Sequence, residues 1–292
     1  MAIITLMRQN LALLLLVAAL PAFAQAPPVK KKTIFIISDA EGVAGVCHQF
    51  QIEPKGTDMP ELLHGEVNAA VQGFFDGGAD EVIVVDGHYQ GYNLSATKIH
   101  PRARLILGPL PKNLTFDKKY TALAFVGQHA MGNVQHAIMA HSFSSLGIQN
   151  MKVNGKPVGE IGIWTEIAGE YGTPVLFLSG DQAAADEVRA IEPNVTTAVV
   201  KTAIGRNTCD TMSAVAARER IAAKAMESMS KLGAVKPRPL QGPVTLELEY
   251  TTRNSLPADA ANWPNTKVVD DRTIQFFGPT LLDAWTLYRG LR

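Results

Sequence analysis

Metal-binding side chains follow short apolar runs at four places in this sequence. The pairs of apolar run and side chain are 34–37 with Asp39 and Glu41, 82–85 with His88, 123–126 with His129, and 137–140 with His141. Short β-branched runs closed by Gly or Asp predict buried parallel strands, and ligands bind at the edge where the carboxyl ends of such strands meet. These side chains are therefore expected to converge. Two carboxylates with several imidazoles suit zinc or a similar divalent metal.

The first two carboxylates stand close together along the chain. Asp39 and Glu41 are two residues apart, so a regular strand would point both to one face. Gly42 and Gly45 allow the backbone to turn sharply behind them. The two acids could hold one metal ion or bridge two. The alternative is a helix cap or a pair of loop acids that face solvent, both of which are common after strands.

Three further side chains have both a functional and a structural interpretation. His88 and His129 each follow an apolar run by two or three residues. A single His at such a place is more often structural, but two of them beside Asp39 favour a metal site. Glu160 stands at the start of a predicted helix, where an acid usually complements the helix dipole. At the same sheet edge it could instead be a third carboxylate ligand.

His141 has a different setting, between apolar residues and hydroxyls in Met139-Ala140-His141-Ser142-Phe143. A partly buried neutral imidazole near a metal-bound water could transfer protons or stabilise a developing oxyanion. The alternative is a core histidine that is bonded to backbone. Asp86 is similarly ambiguous, because it either orients His88 or serves as an ordinary turn residue.

Strands alternate with helical patterns along most of the chain, which predicts an α/β fold with a mostly parallel sheet flanked by helices. The predicted strands are 33–37, 81–85, 105–108, 122–126, 137–140, 148–153, 173–178, 196–202, 244–250 and 273–277. The predicted helices are 60–75, 158–171, 182–191, 212–232 and 280–291. Two prolines at 237 and 239 mark a linker or a sharp change in the direction of the chain. We therefore expect an α/β domain at 33–235 and a small C-terminal α+β appendage at 236–292.

The amino terminus has the pattern of a secretory signal peptide. Arg8 precedes the apolar stretch 11–20, which is short for a membrane span, and Ala22-Phe23-Ala24 is a small-x-small cleavage pattern. Residues 1–24 are therefore predicted to be a signal peptide and 25–32 a short leader; a membrane anchor is the alternative. The mature protein is expected to be periplasmic or secreted.

The balanced charge of the sequence argues against nucleic acid or an anionic membrane as a partner. Lys plus Arg number 27, as do Asp plus Glu, so no overall field attracts nucleic acid or an anionic membrane. No second apolar stretch approaches the length of a membrane span, so we expect none in the mature chain. Cys47 and Cys209 could pair in an oxidising compartment, but two cysteines are not a disulfide framework. We expect them to stay unpaired.

Five short motifs occur in a characteristic order. They are Ile37-x-Asp39-x-Glu41-Gly42, Asp86-Gly87-His88, Gly127-Gln128-His129-Ala130, Ala140-His141-Ser142 and Pro157-Val158-Gly159-Glu160. In this order the chain resembles the zinc-dependent D-aminopeptidases of the DppA type, and the segment 192–201 is also similar to that family. The resemblance extends from about Thr33 to the end of the chain.

The resemblance implies a ligand set, a catalytic residue and an assembly. It implies two zinc ions held by Asp39, Glu41, His88, His129 and Glu160, with Asp39 as the bridging carboxylate. His141 matches the catalytic histidine of the family. The family forms ring-shaped decamers, so a homo-oligomer is implied. This chain departs from the family pattern at Ile37, where the family has a serine.

The predicted function is that of an exported dinuclear-zinc aminopeptidase. It would hydrolyse short peptides with an N-terminal D-amino acid, such as D-Ala-D-Ala, by means of a metal-activated water. The ligands would also accept Mn or Co. One alternative is another metallohydrolase, a phosphoesterase or an amidase. The other is a non-catalytic periplasmic protein that binds metal or peptide.

Overall fold

The computed structural model describes residues 31–53, 56–109 and 120–290. The predicted signal peptide, residues 1–24, lies outside these ranges, as does most of the predicted leader. Within the described ranges, no helix is long and apolar enough to cross a membrane.

The described residues form twelve strands and five α-helices. The strands are β1 Thr33–Ser38, β2 Glu81–Asp86, β3 Ala103–Ile106, β4 Ala122–Gln128, β5 Ile148–Val153, β6 Lys156–Pro157, β7 Val175–Asp181, β8 Thr196–Gly205, β9 Thr208–Thr211, β10 Val244–Tyr250, β11 Thr266–Val268 and β12 Thr273–Gly278. The helices are α1 Met59–Asp76, α2 Glu160–Glu170, α3 Gln182–Ile191, α4 Ala214–Met229 and α5 Leu281–Gly290.

The larger sheet has seven strands in the order β3-β2-β1-β4-β7-β8-β9. All pairs in it are parallel except β8 with β9. In the register of the central strands, Ser38 of β1 lies beside Asp86 of β2 and Val126 of β4. Because β1 and β2 end at the same level and β4 ends two residues further on, the loops that follow them leave the sheet at one edge.

Alternate residues of the central strands pack on opposite faces of this sheet. Ile34 and Ile36 face a core formed with α1 and α4, whereas Phe35 and Ile37 face α2, α3 and the second sheet. Both faces are therefore covered, as is typical of a parallel sheet whose strands are apolar throughout. This confirms the predicted α/β class with a mostly parallel sheet flanked by helices.

The second sheet is antiparallel, with the order β11-β12-β10-β5-β6. β5, which covers the predicted strand 148–153, forms a hairpin with β6 that turns at Asn154 and Gly155 with φ angles of 49° and 78°. β10 pairs with both β12 and β5, so strands from either side of the predicted boundary at 235/236 share one sheet. α5 packs against β12 and β10. The C-terminal segment is thus an α+β part, as predicted.

The predicted strand at 137–140 is wrong. Among the described residues this segment belongs to an irregular loop, 131–143, which is part of the connection 129–147 between β4 and β5. Four non-glycine residues of the loop have φ angles between 47° and 67°, namely Asn133, His136, Met139 and Phe143. Left-handed backbone at this spacing cannot continue an extended strand.

Side chains from neighbouring elements hold the loop in place of a strand ladder. Asp181 accepts a hydrogen bond from the backbone N–H of Ile138 at 3.0 Å. The Arg206 guanidinium donates to the carbonyl of Ala140 at 2.9 Å. The apolar character of 137–140 therefore comes from burial of a loop, which hydropathy alone does not distinguish from a strand.

The prediction that the two cysteines stay unpaired is also wrong. Cys47 and Cys209 form a disulfide, and their Cα atoms are 5.6 Å apart. The bond joins the loop after β1 to β9, which lies 162 residues further along the chain. The sequence pattern does not predict β9, so nothing in the spacing brings the two thiols together.

Candidate metal centre

The carboxylate of Asp39 lies between two histidines at the edge of the large sheet. Asp39 follows β1, which has β2 on one side and β4 on the other. His88, which follows β2, places Nδ1 at 3.0 Å from Asp39 Oδ1. His129, which follows β4, places Nε2 at 3.3 Å from Asp39 Oδ2. Each oxygen of one carboxylate therefore faces a histidine from a different neighbouring strand.

Two further carboxylates complete two groups of potential ligands that share Asp39. The ligand atoms of Asp39, Glu41 and His88 lie within 4.8 Å of one another, as do those of Asp39, His129 and Glu160. Glu41 Oε2 is 3.2 Å from His88 Nδ1, and Glu160 Oε1 is 3.4 Å from His129 Nε2. The structure thus brings all five predicted ligands together, and their role as ligands stays a prediction.

His141 enters the same cluster from the loop 131–143. Its ring stacks on that of His129, with centroids 4.1 Å apart and planes 14° apart. Its Nδ1 is 3.0 Å from the carbonyl oxygen of Met139, which can only accept, so Nδ1 carries the hydrogen. In the neutral ring Nε2 then has the lone pair, and it lies 3.8 Å from Glu160 Oε1. His141 can therefore accept or return a proton at Nε2.

The lone pairs of the buried histidine and carboxylate atoms indicate whether a metal ion fits this site. His129 Nδ1 lies 2.8 Å from the carbonyl of Ala130 and donates its hydrogen there, so in the neutral ring Nε2 has a free lone pair. Among the described residues, neither His129 Nε2 nor Glu41 Oε2 has a hydrogen-bond partner. Buried acceptors packed this closely favour a positive charge between them, either a proton or a metal ion. Histidine nitrogens and carboxylate oxygens fit zinc or a similar divalent ion.

The pKa shifts within the cluster also indicate that it favours a cation. Burial lowers the pKa of His88 and of His129, but the adjacent carboxylates outweigh burial and raise both pKa values well above the usual range. Burial raises the pKa of Glu41, but the histidines, chiefly His88, outweigh that effect and hold it well below its usual value. Burial and the charge of Glu41 together raise the pKa of Asp39. The site strongly favours positive charge among its carboxylates.

Lys201 fastens the backbone that carries Glu41. Its buried ammonium donates to the carbonyl oxygens of Glu41, Val43 and Val46, the second of these at 2.8 Å. Burial lowers the pKa of Lys201 to about 8. Three carbonyl dipoles directed at one ammonium fix the course of the chain behind the ligand.

Two more side chains hold the same loop from other directions. Glu66 of α1 accepts the N–H of Ala44 at 2.8 Å, and Thr211 of β9 accepts the N–H of Gly45 at 2.9 Å. Burial raises the pKa of Glu66 to about 7, although the hydrogen bond from Ala44 opposes this shift. With the disulfide and Lys201, these contacts tie the loop after β1 to three separate elements.

Asp86 closes a turn and does not orient His88 directly. Its carboxylate accepts hydrogen bonds from the backbone N–H groups of Asn93 and Leu94, at 2.6 and 2.7 Å. The side-chain amide of Asn93 then donates to the carbonyl of His88 at 2.7 Å. The turn interpretation is therefore the right one. Asp86 acts on the His88 loop only through the backbone.

A cavity of about 440 Å³ opens beside the cluster. Asp39, Glu41, His88, Glu160 and His141 line it together with a set of aromatic and aliphatic side chains, namely Ile37, Phe143, Leu146, Trp164, Trp285 and Tyr288. Ile37 makes this part of the wall apolar. The neighbouring Ser38 hydroxyl does not compensate, because it donates to the carbonyl of Val85 at 3.1 Å.

Sequence reasoning missed several residues that support or surround the site. The position of Lys201, directly after the largely β-branched run 196–200, was a signal that it has a structural role. A charge next to a buried strand needs partners. Trp164 and Trp285 had no comparable signal, since aromatic residues on amphipathic helices usually belong to the core.

Comparisons with known proteins give three findings. The family model Peptidase_M55, described as D-aminopeptidase, matches residues 33–289. A D-aminopeptidase of Bacillus subtilis (strain 168) is 31% identical over 261 residues, which covers 86% of this chain and 93% of that protein. A solved structure described as "Zn-dependent D-aminopeptidase DppA from Bacillus subtilis, a self-compartmentalizing protease" has a TM-score of 0.80 at 28% identity, and the match covers 88% of this chain and 95% of that one.

The raised pKa of Glu66 predicts a pH-dependent stability. The folded pKa of about 7 exceeds the value of 4.5 in the unfolded chain, so the stabilising contribution is present below pH 4.5 and is lost as pH rises through 7. Glu66→Gln removes this titration and retains an acceptor for Ala44. Relative to wild type, its free energy of unfolding should therefore rise by up to about 3 kcal/mol between pH 5 and 8.

Urea unfolding of both proteins at several pH values measures this difference. Glu219→Gln, at an exposed position of α4, is the matched control for the replacement of a glutamate by glutamine. Parallel stability curves for wild type and Glu66→Gln would contradict the prediction.

Proposed function

The chain belongs to the Peptidase_M55 family of D-aminopeptidases and is a metallo-aminopeptidase, and on this premise we propose that it is an exported enzyme with two zinc ions that cleaves short peptides such as D-Ala-D-Ala. The family resemblance predicted from the motifs is thus confirmed. The number of ions, the peptide and the export are our proposals.

One observation supports two ions: the two oxygens of Asp39 belong to two different groups of ligands. Oδ1 lies with His88 and Glu41, and Oδ2 lies with His129 and Glu160. We assign Asp39 as the carboxylate shared by both ions, with Mn or Co as chemically acceptable substitutes for zinc. When bound, such ions polarise a peptide carbonyl and lower the pKa of water.

The side chains of the protein itself position the candidate ligands and transfer protons. Lys201 and the loop 41–46 keep Glu41 in place, so the ligands are in position before substrate arrives. His141, with its hydrogen fixed on Nδ1, presents Nε2 to the cavity side of the cluster as a proton acceptor. It can then return that proton to the amine that leaves when the peptide bond breaks.

Hydrolysis of two stereoisomers tests the proposed activity. The metal-loaded protein should release D-Ala from D-Ala-D-Ala and should not cleave L-Ala-L-Ala. Chelation should abolish turnover and added zinc should restore it, because the metal ion held by the cluster would supply the Lewis acid. His141→Ala should reduce kcat by about 100-fold or more while zinc stoichiometry stays at two per chain.

Other outcomes separate the alternatives. Cleavage of L-Ala-L-Ala alone would overturn the D-specific proposal. Turnover of phosphate esters or simple amides without peptide hydrolysis would favour another metallohydrolase. Tight zinc binding with no turnover of any of these would favour a binding protein.

We infer export from the amino-terminal pattern, and the disulfide supports this inference. Residues 11–20 and Ala22-Phe23-Ala24 have the features of a signal peptide. Disulfides such as Cys47–Cys209 persist mainly in oxidising compartments outside the cytoplasm. The periplasm is the simplest destination.

Fractionation and thiol counting test the inference. The exported protein is expected to begin at Gln25 and to contain no free thiol, whereas a chain without residues 1–24 should stay in the cytoplasm with two free thiols. Retention of the full-length chain in the cytoplasm would contradict export. A membrane-bound product with an intact N-terminus would instead indicate an anchor.

We also propose that the protein forms a homo-oligomer, with ten subunits as the size that the resemblance implies. The solved relative is described as self-compartmentalizing. In this chain Tyr89 and Leu146 line the cavity, yet they are 80% and 87% exposed, and a second copy would cover them. Light scattering should give a mass several times 31.4 kDa, and Leu146→Asp should reduce it. A monomeric mass at all concentrations would contradict the proposal.

A further inference from the structure

An aromatic wall lines part of the cavity beside the metal cluster. Phe143 lies 4.7 Å from Trp285 and 5.9 Å from Trp164, measured between ring centroids, and the two tryptophans are 5.5 Å apart. Trp285 is 2% exposed and Trp164 is 6% exposed. The rings hold one another in place, so this wall is a rigid apolar surface.

Arg289 adds a positive charge next to this wall. It lies four residues after Trp285 on α5, and therefore on the same face of the helix. Its guanidinium carbon is 5.8 Å from the centroid of the Trp285 ring, and Arg289 lines the cavity. At this distance the ring attracts the cation electrostatically, and the N–H groups of the guanidinium stay available for an anion.

Arg289 has no acidic partner within the part of the chain that the structure describes. Other arginines of the C-terminal segment do have one: Arg238 pairs with Glu192 at 2.9 Å, and Arg272 pairs with Glu249 at 2.8 Å. A guanidinium that lines a cavity without a carboxylate beside it is a site for an anionic group of a ligand.

We propose that Arg289 binds the terminal carboxylate of the substrate, so that the cavity selects short peptides with a free carboxyl end and an apolar side chain against the aromatic wall. This inference rests on the proposed aminopeptidase function. An aminopeptidase cuts one residue from the amine, so the metal cluster fixes one end of the peptide. A cation at the other end of the bound peptide then sets its length.

The size of the cavity agrees with a short substrate. An extended peptide spans at most about 3.3–3.6 Å per residue, so a dipeptide is about 7 Å long and a tripeptide about 10 Å. A cavity of about 440 Å³ accommodates a peptide of this size and not a folded chain. Bidentate pairing of a guanidinium with a carboxylate provides both charge and direction at the far end.

A purely structural role for Arg289 makes a different prediction. Arg289 lies in the last turn of α5, where a cation stabilises the carbonyl end of a helix. In that role, loss of the charge would lower stability without any preference among substrates. The decisive measurement therefore compares a peptide acid with its C-terminal amide.

The experiment uses the metal-loaded full mature protein with D-Ala-D-Ala and D-Ala-D-Ala amide. Wild type should favour the acid over the amide by about 10- to 100-fold in kcat/KM, mainly through KM. Arg289→Gln should raise KM for the acid by a similar factor and reduce the preference to less than about threefold. Arg289→Lys keeps the positive charge but cannot form two parallel hydrogen bonds with a carboxylate. It should therefore give an intermediate preference for the acid over the amide.

Arg253→Gln is the matched control, because Arg253 is 81% exposed, pairs with Asp271 and does not line the cavity. It should retain the wild-type preference. If wild type has equal kcat/KM values for the acid and the amide, the inference is overturned, even if Arg289→Gln does not fold. An unchanged preference in a folded Arg289→Gln variant would overturn it too.

The failure of this inference can be distinguished from the failure of the proposed function. If wild type cleaves neither peptide, the proposed function fails, and calorimetric binding of the same acid and amide still tests Arg289. Binding of the acid that is at least tenfold tighter, and is lost in Arg289→Gln, would support the carboxylate site. Equal binding of both compounds would overturn it.

Discussion

The carboxylate of Asp39 contacts His88 and His129 at the same time only because β1 lies between β2 and β4 in the sheet. The parallel register brings the ends of all three strands to one edge, so the side chains that follow them meet within about 3 Å although they are far apart in sequence. Glu41 and Glu160 join the cluster on either side of this carboxylate. The position of one strand in the sheet order therefore determines whether a metal centre can form.

This geometry explains how much of the molecule follows from sequence. Apolar β-branched runs with alternating helices predict parallel strands, and parallel strands place their ends at one edge, so the α/β class and the convergence of Asp39, His88 and His129 could be predicted. His141 was predicted correctly to join them, but for a wrong reason. Its preceding residues, 137–140, form a buried loop, and hydropathy measures burial and not backbone conformation.

The parts that could not be predicted depend on contacts between distant segments. The disulfide partner of Cys47 lies on β9, a short strand of which only one residue, Cys209, is even half-buried, and such a strand has no apolar pattern. Lys201 finds its partners in backbone carbonyls, which have no residue signature at all. The aromatic wall combines α2 and α5, whose tryptophans resemble ordinary core residues in the sequence. Each of these features becomes visible only in three dimensions.

The candidate ligands and one part of the cavity wall occupy different stretches of the chain. All five candidate ligands and His141 occur by residue 160, whereas Trp285, Tyr288 and Arg289 belong to the final helix. Pairing of β10 with β5 holds the two stretches together. The final helix thus contributes to the cavity wall without contributing a candidate ligand. Substitutions at those three wall positions would therefore change which groups of a ligand fit the cavity, while the candidate ligands stay the same.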